Sequence, residues 1–252
     1  MFISLNNTTK ELHARLTRLW NIFLDALFPC FCLACKQDGR GWCCDKCWLD
    51  LTFSRSLYCP DCAKPSILGK FCDTCQSGHF LTGLWVSQPY SQPTVRAIIH
   101  GLKYQGITEV APRLADILTI TLQTFALPPA WHPTPRWEWI LTPVPLTAKR
   151  QRIRGFNQAE LIAKLVSKQV NLPLDYYLRR TTFRKAQVDL KNNQRRDNVV
   201  GAFKLKPEAE LSGKTIILVD DVYTSGSTME ECAKILKTAG THEVWGLVVA
   251  KG

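Results

Sequence analysis

The sequence predicts an α/β fold in which a parallel sheet carries helices on both faces, preceded by a small cysteine-rich domain. Ten of the eleven cysteines lie between Cys30 and Cys75. After them, short apolar runs alternate with segments of helical periodicity, which is the pattern of a parallel sheet. One such run, Ile216 to Val219, leads into paired acids and a loop of small hydroxylated residues. Ligands bind at connections of this kind in open α/β sheets.

Residues 1–29 are predicted to hold an amphipathic docking helix from Glu11 to Phe28. Its apolar residues recur every three or four positions: Leu12, Leu16, Leu19, Phe23 and Leu27. Basic residues precede the run as in a signal peptide, but Asn21, Asp25 and Pro29 interrupt it, and no small-residue cleavage site closes it. No segment approaches the ~20 apolar residues of a membrane span. We therefore expect a cytoplasmic protein without a transmembrane segment.

The cysteines of residues 30–79 form four Cys-x-x-Cys pairs: Cys32/Cys35, Cys44/Cys47, Cys59/Cys62 and Cys72/Cys75. Two-residue gaps let thiolates converge on one tetrahedral ion and are poor disulfide frameworks. This favours structural Zn²⁺, two ions in all, in a reducing compartment. The spacing permits two arrangements, in which either consecutive pairs share an ion or the pairs interleave as a cross-brace. Zinc can contribute on the order of 10 kcal/mol of folding free energy, which a segment with little apolar periodicity needs.

The remaining cysteines and two histidines have less specific interpretations. Cys43 competes with Cys44, but only Cys44 keeps the two-residue gap to the next cysteine, so Cys43 and Cys30 are interpreted as spare thiols. Thioredoxin-like chemistry uses one Cys-x-x-Cys in a βαβ unit rather than four in a loop-rich segment. His79 and His100 are interpreted as ordinary polar residues, because eight cysteines already complete two tetrahedra.

From residue 80 onward the sequence predicts alternating strands and helices. A strand, two helices and a Pro-rich connection come first: Leu84 to Val86, Thr94 to Tyr104, Thr108 to Phe125 and Leu127 to Trp137. Further strands are predicted at Trp139 to Val144, Val199 to Leu205, Thr215 to Val219 and Glu243 to Ala250, with helices at Asn157 to Val170 and Ser227 to Lys237. This alternation predicts a parallel sheet that binds its ligand at the carboxyl ends of the strands.

The strongest functional signal follows the run Ile216 to Val219, where Asp220 and Asp221 are candidate catalytic residues. A loop of small and hydroxylated residues then enters a helix: Thr224, Ser225, Gly226, Ser227 and Thr228. The N–H groups and hydroxyls of such a loop, at the positive end of a helix, can hold one phosphate. The acids can accept hydrogen bonds from ribose hydroxyls, so a ribose 5-phosphate fits this order. Capping of the sheet and the helix is the alternative, but a cap explains one hydroxyl residue and not the whole loop.

The positive charge of the chain is confined to one region. The net charge is +11, and residues 146–206 hold 15 basic and 4 acidic residues, so the rest of the chain is neutral. Clustering like charges costs electrostatic free energy, and the cluster indicates an anionic partner, either phosphates or nucleic acid. A single basic residue on a loop, by contrast, is usually a solvated surface charge.

The acid pair and loop resemble the phosphoribosyl-pyrophosphate (PRPP) motif of type I phosphoribosyltransferases. A longer series resembles the ComF family, whose members combine a double zinc ribbon with a phosphoribosyltransferase-like domain and are tied in bacteria to natural DNA uptake. The matching segments are Leu102 to Gly106, Pro143 to Leu146, Arg150, Arg154 to Leu161, Leu178 to Arg180, Gln187, Leu190, Arg195, Asn198, Gly201 to Phe203 and the acid-pair loop. The resemblance covers roughly Leu27 to Gly252. It departs at Lys36 and Ala63, where a glycine commonly follows a zinc-binding cysteine.

This resemblance implies a double zinc ribbon over residues 30–79, in which consecutive pairs share each ion. It also implies a type I phosphoribosyltransferase-like domain, a parallel sheet with helices on both faces, over residues 80–252. In that fold the loop Thr142 to Arg154 would hold pyrophosphate, and Thr181 to Asn198 would be a mobile hood over the substrate. The basic residues assigned to these two parts are Lys149, Arg150, Arg152, Arg154 and Arg195. Mg²⁺ would accompany PRPP without a dedicated protein cage.

Two functions stay open on the sequence. The first is a phosphoribosyltransferase with an unidentified acceptor, in which Asp220 and Asp221 hold the ribose hydroxyls and a nucleophile displaces pyrophosphate. The second is a single-stranded DNA-binding competence factor, in which the zinc ribbons and basic loop grip the DNA backbone and the phosphoribosyl pocket is regulatory or vestigial. The partners expected are PRPP or a nucleotide, single-stranded DNA, and proteins of the DNA-uptake machinery.

Overall fold

The computed structural model describes Trp20 and residues 30–38, 41–53, 57–126, 138–181 and 199–252. The predicted N-terminal helix apart from Trp20, the Pro-rich connection and Arg195 lie outside the described residues, as does nearly all of the predicted hood. Within the described ranges, every helix is too short or too polar to span a membrane.

The described elements follow the predicted alternation. The strands are β1 (Gly83–Pro89), β2 (Trp139–Pro143), β3 (Leu178–Arg180), β4 (Phe203–Leu205), β5 (Thr215–Tyr223) and β6 (Glu243–Lys251). The α-helices are α1 (Asp45–Leu49), α2 (Asp73–Gln76), α3 (Pro93–Tyr104), α4 (Ala111–Thr121), α5 (Ala148–Arg154), α6 (Gln158–Val170) and α7 (Ser227–Thr238). Four strands pair in parallel in the order β1–β6–β5–β2.

Successive residues of the central strand β5 belong to two different cores, one on each face of the sheet. Ile217 and Val219 pack in a core with apolar residues of α3, α4 and α6. Ile216 and Leu218 pack in a second core with apolar residues of α7. Because successive side chains of a strand point to opposite faces, this division confirms the predicted helices on both faces of a parallel sheet.

The second cysteine segment is attached to the edge strand β1. The indole N–H of Trp85 donates a 2.9 Å hydrogen bond to the carbonyl of Leu68, and the Trp85 and Trp245 rings stack at 4.5 Å. A Cβ on Gly83 would meet the carbonyl oxygen of Gly69, so only glycine permits this close backbone approach. The cysteine-rich domain therefore shares buried contacts with the sheet.

A short antiparallel hairpin corrects one predicted strand. The prediction put Val199 to Leu205 in the parallel sheet, whereas only Phe203–Leu205 is a strand, and it pairs with β3 in a separate two-stranded sheet. A strand of three paired residues is too short to form a buried sheet, and each of the two strands has only one buried residue. The connection between β3 and β4 carries the predicted hood.

The strand that carries the acid pair is longer than predicted. Val219 was expected to end it, but the ladder with β6 continues, with Asp220 paired to Val248 and Tyr223 paired to Lys251. Both acids therefore lie within β5 rather than beyond it. The connection to α7 shortens to Thr224 to Gly226, because Ser227 already begins the helix.

Two predicted segments differ in local structure. The predicted pyrophosphate loop is in part helical, since α5 begins where the Thr147 hydroxyl accepts a 3.1 Å hydrogen bond from the backbone N–H of Arg150. It ends at Gly155, whose φ of 79° suits glycine. The single helix predicted over 108–125 is three pieces: a 3₁₀ turn at Thr108–Val110, then α4, then a π-helical turn at Leu122–Ala126.

Candidate functional site

Eight cysteines form two tetrads of converging thiols. Within each tetrad the four Sγ atoms lie within 4.8 Å of one another: Cys32, Cys35, Cys44 and Cys47 in one, and Cys59, Cys62, Cys72 and Cys75 in the other. A tetrahedral zinc ion with Zn–S bonds near 2.3 Å requires sulfur atoms about 3.8 Å apart. The Sγ atoms of Cys35 and Cys44 are 3.7 Å apart, and those of Cys62 and Cys72 are 3.6 Å apart. The donor sets thus fit two structural zinc ions, and consecutive pairs share each ion.

The two tetrads have the same backbone geometry. Backbone N–H groups of Cys44 and Cys72 point to the first sulfur of their own tetrad at 3.4 Å. Lys36 and Ala63, which depart from the glycine expected there, have φ of 62° and 57°. This left-handed conformation costs a non-glycine residue roughly 1–2 kcal/mol. Zinc bound at each tetrad would supply more free energy than this cost.

Hydrogen bonds favour the thiolate at Cys72 in the second tetrad, whereas the hydrogen bond with Cys72 and burial raise the pKa of Cys75 to about 12. The Thr74 hydroxyl and the backbone N–H of Cys75 lower the pKa of Cys72 to about 6. A thiolate is the form that binds zinc. Cys43 and Cys30 lie outside both tetrads, in agreement with their interpretation as spare thiols.

His79 joins the second tetrad to helix α7. Its Nε2 lies 2.7 Å from a carboxylate oxygen of Asp61, and its Nδ1 lies 2.6 Å from one of Glu230. Its ring stacks on Phe71 at 3.8 Å. The backbone N–H of Phe80 donates a 2.8 Å hydrogen bond to the other Glu230 oxygen. Because Asp61 lies between two zinc-ligand cysteines, these bonds tie the metal segment to the first turn of α7.

This histidine makes the stability of the protein depend on pH. Burial lowers the pKa of His79, but the hydrogen bonds that its ring donates to the carboxylates of Asp61 and Glu230 outweigh burial and raise the pKa above 6.5. The imidazolium therefore stabilises the fold fully below pH 6.5, and this contribution is lost as pH rises through the raised value. We expect His79→Gln to lower the free energy of unfolding by about 1–3 kcal/mol at pH 6 and by clearly less at pH 9.

Urea unfolding of the zinc-loaded protein at the two pH values measures this difference. His242→Gln, at an exposed position, is the matched control and should change stability little at either pH. Equal losses for His79→Gln at pH 6 and pH 9 would show that the histidine contributes packing and not charge.

The acid pair is partly buried, and one of its members is already paired. Asp221 is buried, and its Oδ1 lies 2.6 Å from the Nζ of Lys103. The Oδ1 of Asp220 accepts a 2.8 Å hydrogen bond from the backbone N–H of Asp221. Burial and the negative charge of Asp221 raise the pKa of Asp220 to about 7. The pair thus has one carboxylate that is held by a lysine and a second one whose pKa lies near neutral pH.

The predicted phosphate loop is an exposed turn at the start of α7. Gly226 has φ of 74°, and a Cβ there would collide with the Tyr223 ring, so this turn requires glycine. The hydroxyls of Ser225 and Ser227 are 2.9 Å apart. Both residues and Thr224 line a cavity of about 650 Å³, which His79 of the cysteine segment also lines. The residues of this turn thus line an open cavity whose volume is large enough for a sugar phosphate.

The predicted pyrophosphate residues only partly come together. Arg150 and Arg154 line a cleft of about 470 Å³ together with Lys103 and Tyr104. The Arg154 guanidinium donates a 2.8 Å hydrogen bond to the Gln158 side chain. Lys149 and Arg152 are exposed on α5 outside this cleft, and Arg195 lies outside the described residues.

The larger cavity and the basic cleft share none of their lining residues. The acid pair is connected to the basic cleft through Lys103, which pairs with Asp221 and also lines the cleft. The single ligand site predicted from the acids and the hydroxyl turn is only partly present. The turn lines an open cavity, while one of the two acids, Asp221, is buried in an ion pair with Lys103.

Sequence reasoning missed two basic residues beside the acids. Lys103 comes from α3, and Arg180 comes from β3. Burial and the charge of Arg150 lower the pKa of Arg180, while Asp220 acts in the opposite direction, so these three charges interact. Both residues lie in segments that match the resembled family, Leu102 to Gly106 and Leu178 to Arg180, and those matches were the available signal.

Two known domain families match different parts of the chain. Residues 157–251 match the phosphoribosyl transferase domain, and residues 23–76 match the double zinc ribbon domain.

Similar curated proteins carry names connected with DNA uptake and use. The DNA utilization protein YhgH of Salmonella typhi is 30% identical over 197 residues, 77% of this chain and 84% of that protein. Competence protein ComFC of Bacillus subtilis is 25% identical, and the match covers 72% of each chain. Competence protein F of Haemophilus influenzae is 39% identical over 114 residues, 44% of this chain, and the match spans only 50% of that protein.

Two solved structures align with part of this chain at low sequence identity. A purine phosphoribosyltransferase from Pyrococcus horikoshii aligns with a TM-score of 0.35 and 15% identity, over 59% of this chain and 75% of the other. An allosteric regulatory enzyme of purine biosynthesis aligns with a TM-score of 0.35 and 16% identity, over 56% of this chain and 26% of the other.

Proposed function

The chain belongs to the ComF family of competence and DNA-utilization proteins, with a double zinc ribbon and a phosphoribosyltransferase-like domain, and on this premise we propose that it binds PRPP with Mg²⁺. A ribose 5-phosphate nucleotide is the related ligand for the same site. The observation that carries the proposal is the order of β5 and α7, which holds two carboxylates and, three residues later, a turn of hydroxyls at a helix N-terminus.

The two parts of this arrangement suit the two ends of the ligand. Ser225, Ser227 and the first N–H groups of α7 are donors for a 5-phosphate, and the helix dipole favours its negative charge. Asp220 and Asp221 accept hydrogen bonds from vicinal hydroxyls of the ribose. The basic cleft lined by Arg150 and Arg154 provides positive charge for the pyrophosphate that such a reaction would release.

The acid pair also suits the metal. Mg²⁺ prefers carboxylate oxygens together with substrate phosphates and waters, and a carboxylate of this pair is the oxygen ligand that the protein would supply. When bound, Mg²⁺ would neutralise charge on the pyrophosphate leaving group. We further propose that the phosphoribosyltransferase-like domain begins near residue 80, where the chain enters β1, and that the protein works in the reducing cytoplasm, where zinc thiolates persist.

A second candidate function is binding of single-stranded DNA. Helix α5 presents exposed basic residues, Lys149, Arg150 and Arg152, next to exposed apolar residues. Ile153 is 73% exposed on the same helix, and Tyr104 is 66% exposed, with the Arg154 guanidinium 5.5 Å from its ring centre. Positive charge beside exposed apolar and aromatic side chains is typical of surfaces that bind single strands.

One titration experiment addresses both candidates. We expect calorimetry of the zinc-loaded protein to show heat of binding for PRPP in the presence of Mg²⁺. The signal should be much weaker in EDTA, at a concentration at which the protein is shown to retain its zinc. Absence of heat for both PRPP and ribose 5-phosphate would overturn the phosphoribosyl proposal. An oligothymidine arm over a salt series tests the second candidate, since backbone binding must weaken steeply as salt rises.

A further inference from the structure

Lys103 is the only basic residue of the described chain that forms a salt bridge with the acid pair. It lies in the last turn of α3, and its side chain is 18% exposed, against 8% for Asp221. The segment lies outside the residues that match the phosphoribosyl transferase domain. A lysine from outside the matched domain thus pairs with Asp221.

The same lysine lines the basic cleft. The cleft residues are Lys103, Tyr104, Gln105, Gly106, Arg150, Ile153 and Arg154, with three cations and no acid among them. Asp221, the salt-bridge partner of Lys103, is not part of that lining. The Lys103 side chain therefore pairs with a carboxylate and also lines a cleft whose lining contains no acidic residue.

This position makes the lysine sensitive to the form of the ligand. A divalent cation held by Asp221 would supply the positive charge that Lys103 supplies in the free protein. The ammonium would then be a largely buried cation without its partner, which is unfavourable unless another anion is within reach. A diphosphate in the basic cleft is such an anion, whereas a ligand whose only phosphate occupies the hydroxyl turn leaves the cleft empty.

We propose that Lys103 is a specificity-determining residue, which pairs with Asp221 in the free site and binds the diphosphate of the ligand in the basic cleft. This inference rests on the proposed function and deepens it, because it selects PRPP over ribose 5-phosphate and nucleoside monophosphates. Arg150 and Arg154 supply the remaining charge of the cleft, and a charge-assisted bond from the lysine adds to theirs.

The test compares three probes on three variants. The probes are PRPP, ribose 5-phosphate and inorganic pyrophosphate, each with Mg²⁺, titrated by calorimetry. Lys103→Met removes the charge at similar length, Lys103→Arg keeps the charge, and Lys168→Met at an exposed position of α6 is the control. We expect Lys103→Met to weaken PRPP and pyrophosphate binding about 30-fold and ribose 5-phosphate binding less than about 3-fold. Lys103→Arg should recover most of the loss, and Lys168→Met should change nothing.

The ratio of PRPP affinity to ribose 5-phosphate affinity decides the matter, because a partly unfolded variant loses active protein equally for both probes. An unchanged ratio in Lys103→Met would overturn the role of Lys103 while leaving the proposed function intact. The wild type could instead bind pyrophosphate but neither PRPP nor ribose 5-phosphate. Loss of pyrophosphate binding in Lys103→Met would then support binding of a diphosphate by Lys103 and overturn the proposed function. A wild-type protein that binds none of the three probes would overturn both.

Discussion

Replacing Cys62 by serine is expected to reduce the zinc content from two ions per chain to one and to unfold the second ribbon. Cys62 is exposed, so its replacement removes no buried packing, and any loss must come from the metal bond. A serine hydroxyl is a poor zinc ligand, and the three remaining thiols hold the ion far less tightly. Structural zinc supplies on the order of 10 kcal/mol of folding free energy in small metal domains, so the local effect is large.

Zinc released on denaturation, counted with a colorimetric chelator, measures the result. Cys30→Ser is the matched control, because Cys30 belongs to neither tetrad and that variant should keep both ions. Retention of two ions per chain in Cys62→Ser would contradict the assignment of the second tetrad. The first ribbon should stay loaded in Cys62→Ser, since its four ligands come from a separate stretch of chain.

Asp220→Asn is expected to have effects of opposite sign on binding and on stability. It removes a charge that Mg²⁺ and the ribose need, and we expect PRPP to bind about 100-fold more weakly. It also removes a carboxylate whose pKa is raised from 3.8 to about 7. The native state keeps this proton up to near neutral pH, whereas the unfolded chain loses it near pH 4. The contribution of the neutral form to the free energy of unfolding is therefore fully present below pH 4 and is lost as pH rises through 7.

The variant should therefore be more stable than the wild type at pH 8 and not at pH 4. Three pKa units correspond to at most about 4 kcal/mol, and partial contact with solvent reduces the expected gain to on the order of 1–3 kcal/mol. Urea unfolding without ligand at both pH values, and calorimetry with PRPP at pH 8, measure the two effects. Asp175→Asn, at an exposed position, is the control and should change neither. A variant that is destabilised at pH 8, or that binds PRPP normally, would contradict this account of Asp220.

The replacement of Asp221 shows why the two acids are not equivalent. Asp221→Asn would leave the largely buried Lys103 without its carboxylate, so we expect destabilisation where Asp220→Asn stabilises. The sequence presents the two acids as a simple pair, and only their different neighbours in the fold separate their roles.

Several features could be predicted because they depend on residues close together in the chain. The two zinc tetrads follow from gaps of two residues, which place thiols on one turn whatever surrounds them. The strand, acid pair and hydroxyl turn follow from a run of apolar residues and a glycine at a left-handed position. Local sequence likewise predicted α6, whose start at Asn157 is a normal N-cap.

The other features depend on which distant segments the tertiary structure brings together. Lys103 reaches Asp221 across 118 positions of the chain, and His79 reaches Glu230 across 151. The extension of β5 to Tyr223 depends on the length of β6, and the short β3–β4 hairpin depends on pairing between two strands that are too brief to be recognised alone.

The metal ligands, the parallel sheet and the order of acid pair and hydroxyl turn could be predicted from the sequence alone, because metal spacing, periodicity and turn chemistry act over a few residues. The pairing of a lysine from α3 with one acid, and the burial that raises the pKa of the other, follow from the folded arrangement of distant segments. Charge pairing and desolvation depend on distance in space, and the fold sets those distances.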